Sequence, residues 1–462
     1  MSSSAGEATG HHHDDDPDMD NLLPVDDAAE EIDNDNDKQD AAMDSDDADA
    51  DELVLQNDAI AYFDLPPDSL FAIAQHPVQH SIIAVGGSAG RDDDAPGAGW
   101  VFSAAVNTPV LPSSYSGSSP SRIDPLAKLD GHSDSISALC WTWPRGDVLL
   151  SAGLDGRLRA WSLGKGGGNG AAITVSLLDE AREVDEINWL AACPDSTSHP
   201  GVIALGASDG SVWVYAISSA QSSLEIVRSY YLHTASCTAG AWSLDGSLLA
   251  TVSEDGSLYV WDVWGADANA AVSLTAADQR FAVEGGLFSV AVDPHGAFVA
   301  VGGATGAVKV VSLPRLSATG GQVLASVGEH SESVETLAVA RTSSSNTLLA
   351  AGSVDGSISI LDGEHHYAVR RQIPSAHDGL SVVRVDFVPG QSGWLLDSCG
   401  LDGVLRRWDL RSWGADNGPV KEWRGHRGGE DGGGGIMGFV CGPDGGRIVT
   451  AGDDGLALVF HA

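Results

Sequence analysis

The stretches SEDGSLYVWD at 253–262 and SVDGSISILD at 353–362 share a serine, an Asp-Gly pair, an alternating apolar run and a closing aspartate. Asp-Gly followed by an apolar run of period two recurs at Asp155, Asp209, Asp255, Asp355, Asp402 and Asp454, with Thr305-Gly306 as a variant. Successive copies stand 54, 46, 50, 50, 47 and 52 residues apart, so the chain is built on an internal repeat.

Before each turn lies a short apolar segment, such as VLLSAG at 148–153 or LLATVS at 248–253, and after it another, such as RLRAWSL at 157–163 or SLYVWDV at 257–263. Two alternating segments hinged on Asp-Gly predict a β-hairpin. A further strand precedes each hairpin, as in SISALCW at 135–141 or TAGAWSL at 238–244, and the connection leaves room for a fourth. An eighth copy opens the array with SLFAIAQHP at 69–77 and SIIAVGG at 81–87, and the insert RDDDAPGAG at 91–99 is expected to lengthen its turn before WVFSAAV. Gly/Ser-rich segments such as SSYSGSSPS, GKGGGNG and RGGEDGGGG fall between strands and read as loop expansions. The expectation is an all-β fold, a β-propeller of eight four-stranded blades over residues 58–462. AIAYFDL at 59–65 is expected to close the ring as the outer strand of the last sheet, whose other strands come from 436–461.

Of 65 Asp and Glu against 24 Lys and Arg, 21 acidic residues lie within residues 1–60 beside the single Lys38. Residues 1–57, dense in Asp and poor in aromatics, read as a disordered acidic tail, because they cannot bury enough apolar surface to offset chain entropy. The remaining repeats are acidic as well. Such a charge repels phosphate and disfavours direct nucleic-acid binding, while attracting basic proteins. Cys140, Cys193, Cys237, Cys399 and Cys441 are widely spaced and odd in number, which points to a reducing compartment. No apolar run approaches the roughly 18 residues of a membrane span. The expectation is a soluble, monomeric protein of the cytoplasm, with the nucleus as a second compartment. HHHDDD at 11–16 has no second cluster to complete a metal site, so neither metal nor cofactor is expected.

Three repeats carry a full set of histidine, hydroxyl, turn aspartate and tryptophan: His132, Ser151, Asp155, Trp161; His233, Thr251, Asp255, Trp261; and His377, Ser398, Asp402, Trp408. A catalytic triad needs one such constellation in one cleft. Three copies at matching offsets instead predict a buried chain from Trp N–H through hydroxyl and His to Asp, satisfying polar groups in every blade that has it. GxxxxGK[ST] and HExxH are absent, so no enzyme is expected.

These residues, with Gly-His at 131–132 and 425–426 and Trp-Asp at 261–262 and 408–409, resemble the WD-repeat proteins. Departures exist: Tyr215 and Leu361 replace the strand Trp, Leu205 and Ala351 replace the hydroxyl, and the third and fifth repeats lack the histidine, so apolar packing should hold those sheets. The resemblance implies that the segments entering the inner strands and the Asp-Gly turns open on one face. Those segments carry Asp134, Glu183, Asp185, Glu186, Glu284, Glu329, Glu332, Glu335, Asp378, Glu430 and Asp431, and Glu254 and Asp453 precede turn aspartates. Converging carboxylates would focus negative potential at the mouth and invite a Lys- and Arg-rich segment. The residues expected to bind it are Asp185, Glu186, Glu254, Glu284, Glu332, Glu335, Asp378 and Asp453.

Within that class, the acidic tail, eight repeats, EVDEINWLAACP at 183–194, SVWVYAI at 211–217 and ESVETLAVA before LLAAGSVDGSISILD are similar to the family of the fungal Sqt ribosome-assembly protein and the animal angio-associated migratory cell protein. The resemblance implies a dedicated chaperone for a large-subunit ribosomal protein of the universal L-sixteen type, L-ten in older eukaryotic usage. In that family the acidic face captures the client's basic N-terminus until it joins the pre-60S particle. The alternative is a general WD-repeat scaffold, such as a ubiquitin-ligase substrate receptor.

Overall fold

The computed structural model describes residues 56–462 apart from 93, 106–119, 166–172, 195–197, 219–222, 267–268, 316–317, 344–345, 412–417 and 429–432. The tail read over 1–57 lies outside the described residues except for its last two, as do HHHDDD, Glu430 and Asp431.

Local chemistry sets each turn. The aspartate side chain accepts the N–H two residues on, as in Arg157 N to Asp155 Oδ1 (3.0 Å), Ser257 N to Asp255 Oδ1 (2.8 Å) and Leu456 N to Asp454 Oδ1 (3.1 Å). The following glycine takes the left-handed backbone, with φ +71° at Gly156 and +75° at Gly256. At Gly156 a side chain is also excluded sterically, since a Cβ would stand 2.0 Å from the Val184 carbonyl oxygen.

Hairpins then join into sheets. Taken in ring order, the blades begin with inner strands Leu70–Gln75, Ile136–Trp141, Ile187–Ala192, Cys237–Trp242, Leu287–Val292, Val334–Arg341, Val382–Phe387 and Ile436–Cys441, numbered here blades 1 to 8. Each inner strand contacts those of its two neighbours, and that of blade 8 meets that of blade 1. The chain is therefore a closed eight-bladed propeller. No helix of the described residues is long and apolar enough to cross a membrane.

Alternation serves both faces of every sheet. Val148, Leu150 and Ala152 pack toward blade 3 while Leu149 between them packs toward blade 1. Eight apolar clusters fill the eight gaps between successive blades. Strands buried on two faces read as near-continuous apolar runs for this reason.

Ring closure follows the expected route. Ala61–Phe63 pairs antiparallel with Ala457–His461 as the fourth strand of blade 8. A fifth strand, Ser121–Arg122, adds in parallel to the outside of it, and Arg122 Nε bonds Asp64 Oδ1 at 2.7 Å. The repeat pattern holds no place for this strand. In blade 1 the insert is shorter than expected: the strand begins at Gly97, not after Gly99, and pairs Gly97 with Ser88. Glycine is required at the start of this strand because the neighbouring segment passes too close for a side chain; a Cβ on Gly97 would lie 2.1 Å from the Asp134 carbonyl oxygen.

Candidate functional site

One set of hydrogen bonds gathers the loops onto a single face. The N–H of the residue before each turn aspartate, or its equivalent, donates to the carbonyl just before the inner strand of the same blade. These bonds are Leu154 to Ser135 (3.0 Å), Ser208 to Glu186 (3.2 Å), Glu254 to Ser236 (3.1 Å), Ala304 to Gly286 (3.1 Å), Val354 to Ser333 (3.0 Å), Leu401 to Ser381 (3.0 Å) and Asp453 to Gly435 (3.0 Å). Turn and entering segment of each blade thus lie side by side.

Neighbouring blades are stitched at the same level. Ser137 Oγ donates to the Ile187 carbonyl (2.6 Å), Asn188 Nδ2 to the Cys237 carbonyl (2.9 Å) and Thr238 Oγ1 to the Leu287 carbonyl (2.7 Å). All inner strands therefore start on one face. Their second residue is the extra one in a β-bulge in every blade: Phe71, Ser137, Asn188, Thr238, Phe288, Glu335, Val383 and Met437. These eight residues stand one per blade at the start of the inner strands on this face, and Glu335 is the one carboxylate among them.

Six of the eight carboxylates expected to bind a partner share this face and are exposed: Asp185 and Glu186 on blade 3, Glu254 at the blade 4 turn, Glu284 before blade 5, and Glu332 and Glu335 on blade 6. None has an ion-pair partner among the described residues; Glu335 Oε1 accepts only Ser333 Oγ, at 3.0 Å. Glu183 and Glu329 extend the same arc and are also exposed. The remaining two are engaged within the protein. Asp378 Oδ2 accepts Arg406 Nη2 at 2.9 Å, and Asp453 is half-buried with its Oδ1 accepting Gly434 N–H. Burial pushes the Asp453 carboxyl above the usual range, and the neighbouring Asp454 adds to that. Among the eight, the carboxylates without an internal partner consequently form an arc over blades 3 to 6, with Asp378 adding an exposed but paired one on blade 7.

Beneath this face lie the histidines. In blade 2, His132 Nδ1–H donates to Asp155 Oδ1 (3.1 Å), Ser151 Oγ is 2.8 Å from Nε2, and Trp161 Nε1–H donates to Ser151 Oγ (2.9 Å). Blade 7 repeats it with His377, Asp402 (2.9 Å), Ser398 (2.8 Å) and Trp408 (2.8 Å). Aspartate, an acceptor only when ionised, fixes the tautomer. In blade 4 the relay differs: Ser257 Oγ stands between His233 Nδ1 (2.7 Å) and Asp255, while Thr251 and Trp261 keep their places at 2.9 Å each.

Two further sets escape the sequence pattern. His426 bonds Asp454 (3.0 Å) and Thr450 (2.7 Å) with Phe460 in place of tryptophan, and His330 bonds Ser357 (2.7 Å) and Ser359 (2.8 Å) where Ala351 lacks the hydroxyl. The missed cue is the serine after Asp-Gly. It intervenes between histidine and aspartate in blades 4 and 6, and in the histidine-free blade 3 it links Trp213 Nε1 (2.9 Å) to Asp209 (2.6 Å).

Burial opposes charge on Asp155 and Asp355, yet hydrogen bonds outweigh it and hold both carboxyls down at about 2; those bonds come from His132 and the Ser133 N–H at Asp155, and from Ser357 and the Ser331 N–H at Asp355. Burial also drives His233 down to about 4, against the pull of Asp255. Between pH 6.5 and 4 the unfolded chain binds a proton at His233 that the folded chain refuses. Stability therefore falls with pH there, by up to about 1.4 kcal/mol per unit. Below the unfolded aspartate value the contributions of Asp155 and Asp355 are lost in turn as pH approaches 2. Melting temperature measured from pH 7 to 4 should decline in the wild type and more shallowly in His233→Gln; equal slopes would assign the decline elsewhere.

Burial pushes the thiols of Cys140, Cys237, Cys399 and Cys441 up to about 12, which leaves them protonated at neutral pH. Among the described residues no group of His, Cys, Asp and Glu is arranged to hold a metal ion.

The family model for the WD domain, G-beta repeat, matches residues 123–162, 224–262 and 321–362. The structure of Sqt1 from Chaetomium thermophilum is 51% identical, covers 88% of this chain and 98% of that one, and superposes with a TM-score of 0.79. A second structure of that protein, bound to the N-terminus of the ribosomal protein L10, is also 51% identical, covers 88% of this chain and 100% of that one, and has a TM-score of 0.78. The ribosome assembly protein SQT1 of Saccharomyces cerevisiae is 29% identical over 50% of this chain and 48% of its own length. Human angio-associated migratory cell protein is 24% identical over 72% of this chain and 69% of its own length. The chain spans about half the length of the first two curated relatives it matches.

Proposed function

Since the chain belongs to the family of the Sqt1 ribosome-assembly proteins, a branch of the WD-repeat propellers, we propose that it is a dedicated chaperone for one ribosomal protein. Its acidic mouth holds the basic N-terminus of a newly made large-subunit protein of the universal L-sixteen type until that protein joins the assembling 60S subunit. Capture takes place in the cytoplasm, or in the nucleus where assembly begins. No bond of the client is made or broken.

The observation that carries this reading is the arc of six exposed carboxylates without cationic partners among the described residues. Unrelieved like charges repel one another across a concave mouth. A segment rich in Arg relieves that repulsion and gains charge-assisted, bidentate hydrogen bonds. The C. thermophilum relative bound to the N-terminus of the ribosomal protein L10 supports the same role.

The test is a titration of the full chain with the N-terminal peptide of an L10-type protein at rising salt. Exposed pairs are screened beyond about 8 Å at physiological ionic strength. Affinity should therefore fall by roughly tenfold or more between low and high salt. Binding that ignores salt would reject an electrostatic capture.

A further inference from the structure

The mouth has a second half that the carboxylates do not explain. Opposite the acidic arc, blades 7, 8, 1 and 2 present Val383 and Leu401, Met437, Phe71 and Leu154 at the bulge and turn positions. Phe71 is 42% exposed and Leu154 39%, large fractions for apolar side chains at the rim of a concavity. The two stand on adjacent blades. Bulge residues of blades 2 to 4 reach the first residue of the next inner strand, which for Phe71 is Ile136; the preceding residue, Ser135, carries Leu154 on its carbonyl. Of the expected carboxylates in this half, Asp453 is half-buried on the Gly434 N–H, and Asp378, though its side chain is 71% exposed, is paired with Arg406.

We propose that the mouth recognises an amphipathic basic segment: its Arg and Lys side chains face blades 3 to 6, and a large apolar or aromatic side chain of the same segment settles on Phe71, Leu154 and Met437. This rests on the acidic-face reading above and adds the specificity element. Charge alone would admit any basic peptide. An apolar anchor rejects those that lack one, because the anchor gains burial of apolar area, which salt does not screen.

The test uses synthetic peptides of equal length and equal arginine content, with serine elsewhere and a tyrosine walked through each position. The wild type should bind at least one tyrosine peptide about tenfold more tightly than the all-serine peptide. Phe71→Ser with Leu154→Ser should erase that preference while the all-serine peptide binds as before, and Phe71→Leu should restore most of it. Equal affinity for all peptides in the wild type, or a preference that survives in the double variant, overturns the inference. If the all-serine peptide binds in a salt-sensitive way that Glu332→Lys abolishes, yet tyrosine adds nothing, only the apolar half is wrong. If no peptide binds, the acidic-face reading fails with it.

Discussion

The double reversal Glu332→Lys, Glu335→Lys lowers affinity for the basic client peptide by about 100-fold or more, with the melting curve unchanged. Both side chains are exposed, and neither holds the fold. Glu332 offers only its backbone carbonyl to the protein, accepting Ser353 Oγ at 3.1 Å, and that bond survives substitution. Glu335 loses one exposed bond from Ser333. Surface changes of this kind normally shift stability by no more than about 0.5 kcal/mol. Binding is another matter, because each reversal removes an attraction and installs a repulsion against the same cation. Calorimetry on the wild type and the double variant decides it. Retained affinity with an intact melting curve would mean that the client sits elsewhere.

Removing one ring from the closing strand has the largest expected effect on stability. Phe63→Ala should cost about 3–5 kcal/mol, read from urea unfolding. Phe63 is fully buried between the last blade and the first, stacked on Phe102 with ring centroids 4.8 Å apart and edge-on to Trp100 at 6.3 Å. It belongs to a strand of three residues and to the buried cluster between blade 8 and blade 1, so a cavity there weakens that joint. The comparison is Leu65→Ala just beyond it, where the side chain is 40% exposed and the loss should be small. If the two variants unfold alike, closure of the ring does not depend on this packing.

Most of the architecture is legible in single repeats, since its determinants act over two to four residues. Asp155, Asp255 and Asp454 each fold a turn by bonding a backbone N–H two positions away, and period-two alternation assigns the flanking strands. Closure by 59–65 is legible too, because the last copy shows three strands where the others leave room for four. The relay in blades 2 and 7 follows the expected order, but that in blade 4 does not, since Ser257, aligned with Arg157 and Val404 of those blades, is small enough to stand between His233 and Asp255. The strand at Ser121–Arg122 has no counterpart in any other repeat and so no pattern to reveal it.

The sequence alone determined the repeat, its hairpins, the number of blades and the sign of the charge around the mouth. Tertiary structure alone decided which charges are offered to a partner. Asp378 and Glu332 occupy similar loops, look equivalent in the chain and are both exposed, yet Arg406, 28 residues further on, neutralises Asp378 while Glu332 has no ion-pair partner among the described residues. Ring closure likewise set Met437 near Phe71, residues from opposite ends of the repeat array, and gave the mouth its apolar half. Turns and alternation are short-range and repeat with the sequence; ion pairs and exposed patches depend on contacts of a few ångströms between distant residues, which exist only once the ring is closed.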